Sequence, residues 1–522
     1  MNLSHLIELK NFNVFPEYFV GISALYILVV IILISYNVYG LIVQKAVSEC
    51  LGLILLLTCY LILNDDLIIN NVGMEFSVQL GFYKSNIMDY FGTFTKFIVC
   101  FFSSLYFFII ADFLKEYKLT SFEYLLILLF AVLGLMLLCS SNDLLTAFLA
   151  IELVSLSSYI LAAFKKTSSY SVEAGIKYLI TGAISSAFFL LGSSFMYAYC
   201  GSVNISDFWS ILSNDGWFAT DNSLHFLEPL LEIGITFIIF SLFIKLALAP
   251  FHVWSLDVYE GSPTISTFFF AVITKLSFFV FLVRIGYVAA LKYYEAWQFY
   301  AVVIALLSIF IGSFGGLRQR KLKTLLAYSS VSHMGYALLA FSAGSRFGGE
   351  MLLFYLVIYM LSGLSVWFII LLLRVNRKRY TDKFNKELGD LALLRKSNPA
   401  LAFSFSMAMF SVAGIPPLVG FFAKMGVFLS VLHAQYYFVA LLAILCSVVS
   451  TFYYIRIIKI LYFENLLVGQ LYYPITTSKT VLFSSSIFLL FFLFINPTFL
   501  YLVVYKVILF SFSNDTTTLF VG

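Results

Sequence analysis

Apolar residues run along this chain in long blocks separated by short polar, glycine- or proline-bearing stretches. A helix needs about 20 such residues to cross a hydrocarbon core about 30 Å thick. Read this way, the blocks predict spans at 17–39, 41–63, 90–111, 122–139, 143–164, 172–200, 228–250, 264–289, 297–315, 324–343, 349–373, 399–431, 434–463 and 478–505. The expectation is an all-α polytopic membrane protein with about 14 transmembrane helices. Two polar stretches between spans, 65–89 and 201–227, are rich in Asp, Asn and Ser and have room for a hairpin or short helix. A third, 374–398, reads as a basic linker.

Composition agrees: 62% of the 522 residues are apolar and 11% charged, too little polar surface for a globule in water. The six cysteines include no C-x-x-C pair, so no iron–sulfur cluster, zinc site or disulfide framework is indicated. Redox chemistry would have to sit on another chain. No phosphate-binding glycine motif follows a strand, and a net charge of +4 spread over loops argues against nucleic acid as a partner. The first 19 residues lack the basic, apolar and small-residue order of a signal peptide and the acid-poor look of a transit peptide, so no segment is expected to be removed. The 59 Phe and 34 Tyr exceed what interfacial belts need and hint at an AT-rich organellar genome.

Positive charge orients the chain. On the N-terminal side lie six basic residues, Lys10, Lys84, Arg284, Lys292, Arg346 and Lys506; twenty lie on the other, from Lys45 to Lys479. Both termini are therefore expected outside and the basic loops inside. Five of the 31 Lys and Arg remain within spans: Lys96, Lys177, Lys245, Lys275 and Lys424. A charge at the centre of a membrane helix costs about 2.5–3.5 kcal/mol, so each needs a reason. Lys96 and Lys177, about two turns from span ends, are expected to snorkel to the headgroups. Lys275, the twelfth residue of its span, is too deep for that, as is Glu152, the tenth of its own.

Prolines place the other two. Pro250 and the pair Pro416 and Pro417 interrupt helices, since proline removes an N–H and clashes with the preceding turn. A break near Pro250 puts Lys245 beside unwound backbone, and the break at GIPPLVGFFAKMG does the same for Lys424. Two interrupted helices, each with a deep lysine, match the ion sites of internally repeated transporters. His333, mid-span among Ser329, Ser330, Ser332 and Tyr336, suits an interhelical hydrogen bond or a proton relay. His252 and His433 have weaker cases. Burial favours a neutral lysine and a nearby carboxylate a charged one, so moving the carboxylate switches the lysine between holding and releasing a proton. Glu152, Lys245, Lys275, His333 and Lys424 would then form a proton-transfer axis.

The segments KLALAPFHVWSLDVYEGSPTISTFFFAVITK, LAYSSVSHMGY and SVAGIPPLVGFFAKMGVF closely resemble the antiporter-like membrane subunits of respiratory complex I. The resemblance runs from about residue 120 to 460. It implies fourteen helices with two inverted five-helix repeats, each with a Pro-broken helix: an N-terminal segment 1–119, repeats at 120–290 and 291–463, and a C-terminal helix and tail from 464. By the same resemblance Glu152 matches the glutamate of the fifth helix, Lys245 and Lys424 the lysines of the broken seventh and twelfth, Lys275 that of the eighth, and His333 the histidine of the tenth. A lysine at 424 instead of glutamate, and no long lateral helix after the last span, separate the chain from two branches of the family.

The resemblance further implies a subunit of a proton-translocating NADH:ubiquinone reductase in the mitochondrial inner membrane, less so a bacterial plasma membrane. The termini would face the intermembrane space and the basic loops the matrix. No cofactor is expected on this chain, with FMN, iron–sulfur clusters and ubiquinone on other subunits. Expected partners are neighbouring antiporter-like and small membrane subunits, with phospholipids in the grooves. The alternatives are a subunit of a multi-subunit cation/proton antiporter, a plastid relative that reduces plastoquinone, and a structural subunit whose buried charges conduct nothing.

Overall fold

The computed structural model describes residues 15–35, 40–71, 79–81, 84–117, 119, 121–208, 228–290, 293–375, 383–384, 387–392, 394–464 and 477–511. The main helices are α1 (Phe15–Ser35), α2 (Gly40–Asn71), α3 (Tyr90–Ile110), α4 (Phe122–Ser140), α5 (Leu144–Ala163), α6 (Ser169–Cys200), α7 (Glu228–Leu246) and α8 (Val253–Gly261). They continue as α9 (Thr264–Ala289), α10 (Tyr294–Leu317), α11 (Leu322–Ser342) and α12 (Arg346–Leu372). The last are α13 (Pro399–Ala413), α14 (Val419–His433), α15 (Tyr437–Tyr462), α16 (Thr477–Ile495) and α17 (Thr498–Ser511). Backbone donors at helix starts find few waters in an apolar medium, and local side chains satisfy several. Asp89 accepts from Gly92 N–H at 2.9 Å, Ser345 from Gly348 at 3.1 Å, and Asn398 from Leu401 at 3.1 Å ahead of Pro399 in the first turn.

The chain is thus an all-α polytopic membrane protein. Ten described helices are long and apolar enough to cross a membrane, or eleven if α16 and α17, bent by 80° beside Pro497, make one span. Helix α11 is 21 residues long but falls short of that apolarity, because Lys323, the serines and His333 interrupt it. The predicted helix breaks are present: α7 ends at Leu246 and α8 resumes at Val253, and α13 ends at Ala413 and α14 resumes at Val419. Each break contains one cis peptide bond, Ala249–Pro250 in the first and Pro416–Pro417 in the second. Stretch 65–89 does hold a hairpin, Gln79–Gly81 against Asn86–Met88. In the basic linker Arg374–Val375 pairs with Lys383–Phe384, while 209–227 lies outside the described residues.

Two compact units emerge from the contacts, and among the described residues the chain crosses between them at 246/247, 272/273, 297/298 and 506/507. In the first unit α6 and α7 pack backbone to backbone, since a Cβ on Gly192 would meet the Gly234 carbonyl at 2.7 Å.

Three basic residues of this unit correct or complete the sequence reading. Lys96 does not snorkel: it is buried and ion-paired with Glu17 of α1, a residue the sequence reading passed over. Helix α3 packs against α2 and α4, and the Lys96 ammonium meets Glu17 inside the protein instead of a surface. Arg284, expected among the outer charges, is buried within α9, where it donates to Asp89 Oδ1 at 2.7 Å and to the Cys139 carbonyl at 3.0 Å. Lys177 lies at the surface of α6, 44% exposed and paired with Glu173 one turn away at 2.8 Å.

Candidate functional site

The five predicted residues fall into two groups: Glu152, Lys245 and Lys275 in the first unit, His333 and Lys424 in the second. All four of the basic ones are buried, at 8%, 3%, 5% and 6% exposure respectively, so each ammonium or imidazole must be held by neighbouring polar groups.

In the first unit the broken helix supplies the anchor. A helix terminus leaves its last carbonyls without intrahelical partners and carries a partial negative charge. Helix α7 stops at Leu246 because Ala247 turns into the left-handed region, φ 59°. Lys275 Nζ donates to the freed Leu246 carbonyl at 3.1 Å. The residue just before that carbonyl, Lys245, points to α5 and donates to the Tyr159 hydroxyl at 3.2 Å. The Glu152 carboxylate, two turns before Tyr159 on α5, attracts the Lys245 ammonium electrostatically. A negative helix end and a carboxylate thus face two lysines.

In the second unit the same backbone device recurs. Helix α13 ends at Ala413, Gly414 follows in the left-handed region at φ 77°, and Lys424 Nζ donates to the Ala413 carbonyl at 2.7 Å. One difference was not legible in the sequence. The lysine that caps the first break is Lys275, from the following helix, and not the lysine of the broken helix itself; at the second break it is Lys424, from the second half of the same helix.

His333 Nδ1 shares a 2.6 Å hydrogen bond with the Tyr355 hydroxyl, and Nε2 a 3.2 Å one with that of Tyr454. Between His333 and Lys424 lies a cavity of about 10 Å³, lined also by Tyr355, Tyr359 and Ser411. That is about what one water centre needs, and the buried Ser411 hydroxyl has no hydrogen-bond partner in the protein. His252 sits in the first break with its ring 6.5 Å from that of Tyr328, and His433 ends α14 against Phe347; neither lines this cavity. Sequence reasoning missed the three tyrosines, Tyr159, Tyr355 and Tyr454, because with 34 tyrosines in the chain nothing local separates a ligand of a lysine or histidine from a packing residue.

Gly414 is where this geometry is most exposed to substitution. A Cβ there would stand 2.7 Å from Lys424 Cδ and 3.4 Å from its Nζ, at a positive φ that costs a residue with a Cβ about 1–2 kcal/mol. Gly414→Ala is expected to lower stability by at least that amount and to lift Lys424 off the Ala413 carbonyl. Thermal unfolding of the purified variant checks the first, and its proton transfer the second.

This pattern can hold protons in an apolar interior and pass them between adjacent groups. The family profile described as "NADH:quinone oxidoreductase/Mrp antiporter, TM" matches residues 141–450. NADH-ubiquinone oxidoreductase chain 2 of Marchantia polymorpha is 37% identical over 443 residues, 84% of this chain and 87% of that one. NADH-quinone oxidoreductase subunit N of Pelagibacter ubique is 34% identical over 88% of this chain and 91% of its own length. A chain of the respiratory complex I from Thermus thermophilus superposes with a TM-score of 0.73 at 25% identity, covering 93% of this chain and 98% of that one. With the profile over more than half of its length and relatives matched along most of theirs, the chain belongs to the NADH:quinone oxidoreductase/Mrp antiporter family of membrane subunits.

Proposed function

We infer that this chain is a proton-translocating membrane-arm subunit of respiratory complex I. The observation that carries the reading is the pair of buried lysines held on broken helix ends, Lys275 on Leu246 and Lys424 on Ala413, in a chain so similar to complex I subunits N and 2. Glu152, Lys245 and Lys275 work as one group of titrating side chains, His333 and Lys424 as another. A lysine in each group is protonated when negative charge, from a carboxylate or a carbonyl end, faces it, and gives the proton up when that charge is moved or neutralised. A buried charge that is never moved would need none of this and would be cheaper as an apolar residue.

In this reading fourteen helices cross the membrane, with two inverted five-helix repeats over 120–290 and 291–463. The recurrence of a left-handed residue and a capping lysine at Leu246 and Ala413 supports the repeats. NADH oxidation by quinone proceeds on flavin and iron–sulfur subunits elsewhere and drives the transfer; this chain carries no cofactor. Its neighbours are other antiporter-like and small membrane subunits, with phospholipid between them. The membrane is the mitochondrial inner membrane, with both termini in the intermembrane space, and a bacterial plasma membrane would keep the same sidedness.

Purification in mild detergent tests the assembly: flavin and iron–sulfur subunits are expected to accompany the chain. Co-purification with cation-antiporter subunits alone would replace this reading with the antiporter one. Protease added from the matrix side is expected to nick the 374–398 loop; nicking only from the outer side would overturn the orientation.

A further inference from the structure

The Lys245 ammonium does not rest on a carboxylate but on a phenol. Tyr159, from α5, accepts its hydrogen bond at 3.2 Å and is itself buried. Glu152, Ser155 and Tyr159 stand at positions i, i+3 and i+7 of α5 and so share one face. Helical side chains lean toward the N-terminus, which tilts the long Tyr159 ring back toward Ser155 and Glu152. Ser155 Oγ donates to Glu152, to Oε2 and to the carbonyl oxygen at 3.1 Å each, and Ser155 stands one turn before Tyr159 on the same face. The other carboxylate oxygen, Oε1, is buried without a hydrogen-bond partner in the protein.

What holds the phenol in this line is an empty volume on α6. A Cβ on Gly182 would fall 1.6 Å from the Tyr159 hydroxyl and 2.4 Å from its Cζ. Any other residue at 182 would drive the hydroxyl away from Lys245. The ring is held from a second side by Tyr178, edge to face at a centroid distance of 4.8 Å.

We propose that Tyr159 is a proton-relay residue between Lys245 and Glu152, and that Gly182 is the positioning residue that keeps its hydroxyl on Lys245. The proposal rests on the proton-translocating reading above and deepens it. A hydroxyl is both donor and acceptor, which an ammonium or a carboxylate alone is not. In the transfer a Lys245 N–H breaks and its proton bonds to the Tyr159 oxygen. The phenol's own proton passes to Ser155 Oγ, and the Ser155 proton to the Glu152 carboxylate. The two hydroxyls are regenerated, and the ends become a neutral amine and a neutral carboxylic acid. Charge is cancelled across the line, so no isolated ion is left in the apolar interior.

The test uses the assembled complex in sealed vesicles, measuring protons taken up per NADH oxidised for Y159F, G182A and K245M. Electron transfer from NADH to a soluble acceptor and the subunit content of each variant report on assembly. Y159F removes one oxygen and keeps the ring that packs on Tyr178; G182A keeps the phenol and displaces it. The proposal expects both to assemble, to oxidise NADH with the soluble acceptor at the normal rate, and to lose proton transfer as far as K245M does. Normal pumping in Y159F with a defect in G182A and K245M would mean that the ring only fills space, and would sink the relay while leaving the function standing. Normal pumping in K245M as well would remove the proton-translocating role of this group altogether. Should Y159F fail to assemble, G182A decides, since it leaves every titratable and hydroxyl group in the chain.

Discussion

Replacing Lys275 by Met is expected to abolish proton transfer through this chain while leaving the complex assembled. Methionine keeps an unbranched apolar stem of similar length in a fully packed helix and removes only the ammonium. The Leu246 carbonyl then loses the donor now at 3.1 Å, and an acceptor left unpaired in the interior costs about 1–3 kcal/mol. Against a net stability of about 5–15 kcal/mol this is a partial loss, so the chain is expected to stay folded. Proton transfer does not, because protons move between groups in hydrogen-bonding reach, about 2.6–3.2 Å or through one water, and no titratable group replaces the missing one. The measurement is protons pumped per NADH oxidised in vesicles. An unchanged ratio in the assembled variant defeats the relay reading; loss of assembly with no other defect favours a purely structural role for the buried charges.

The largest stability effect is expected at a place the proton axis does not use. Glu17 and Lys96 form an ion pair with both side chains at 5% exposure or less. Breaking a buried pair from one side leaves the other charge unpaired and costs about 3–5 kcal/mol, whereas replacing both partners by apolar residues of similar volume is close to neutral. Glu17→Leu or Lys96→Met alone should therefore lower the unfolding midpoint sharply, and the double variant should recover most of the loss. Thermal unfolding of the four proteins measures the coupling directly. Additive losses in the double variant would show that the two side chains do not depend on each other.

The deep charges were legible from the sequence because they are exceptions to a local rule. Lys275 and Glu152 stand ten or more residues into apolar blocks, and that position alone marks them. The breaks at Pro250 and Pro417 were legible for the same reason, since proline acts on its own turn. Lys96 shows where the reasoning stops. Its depth within α3 is compatible with snorkelling, and nothing near it in the chain announces Glu17, which lies 79 positions earlier on another helix. The burial of Arg284 was illegible likewise, because its partners Asp89 and Cys139 are supplied by the start of α3 and the end of α4.

The sequence by itself determined that the chain is a bundle of membrane helices, where those helices break, and which titratable groups lie at depth. These follow from the cost of moving each residue from water to hydrocarbon, a cost that adds along the chain and needs no knowledge of neighbours. Only the tertiary structure decided what each buried group touches. It put Lys275 rather than Lys245 on the first broken end, rested Lys245 on Tyr159 in a slot that Gly182 leaves open, and set His333 between Tyr355 and Tyr454. Those pairings join residues 22 to 121 positions apart, and helix packing, not local sequence, brings such residues within the 3 Å or so that a hydrogen bond requires.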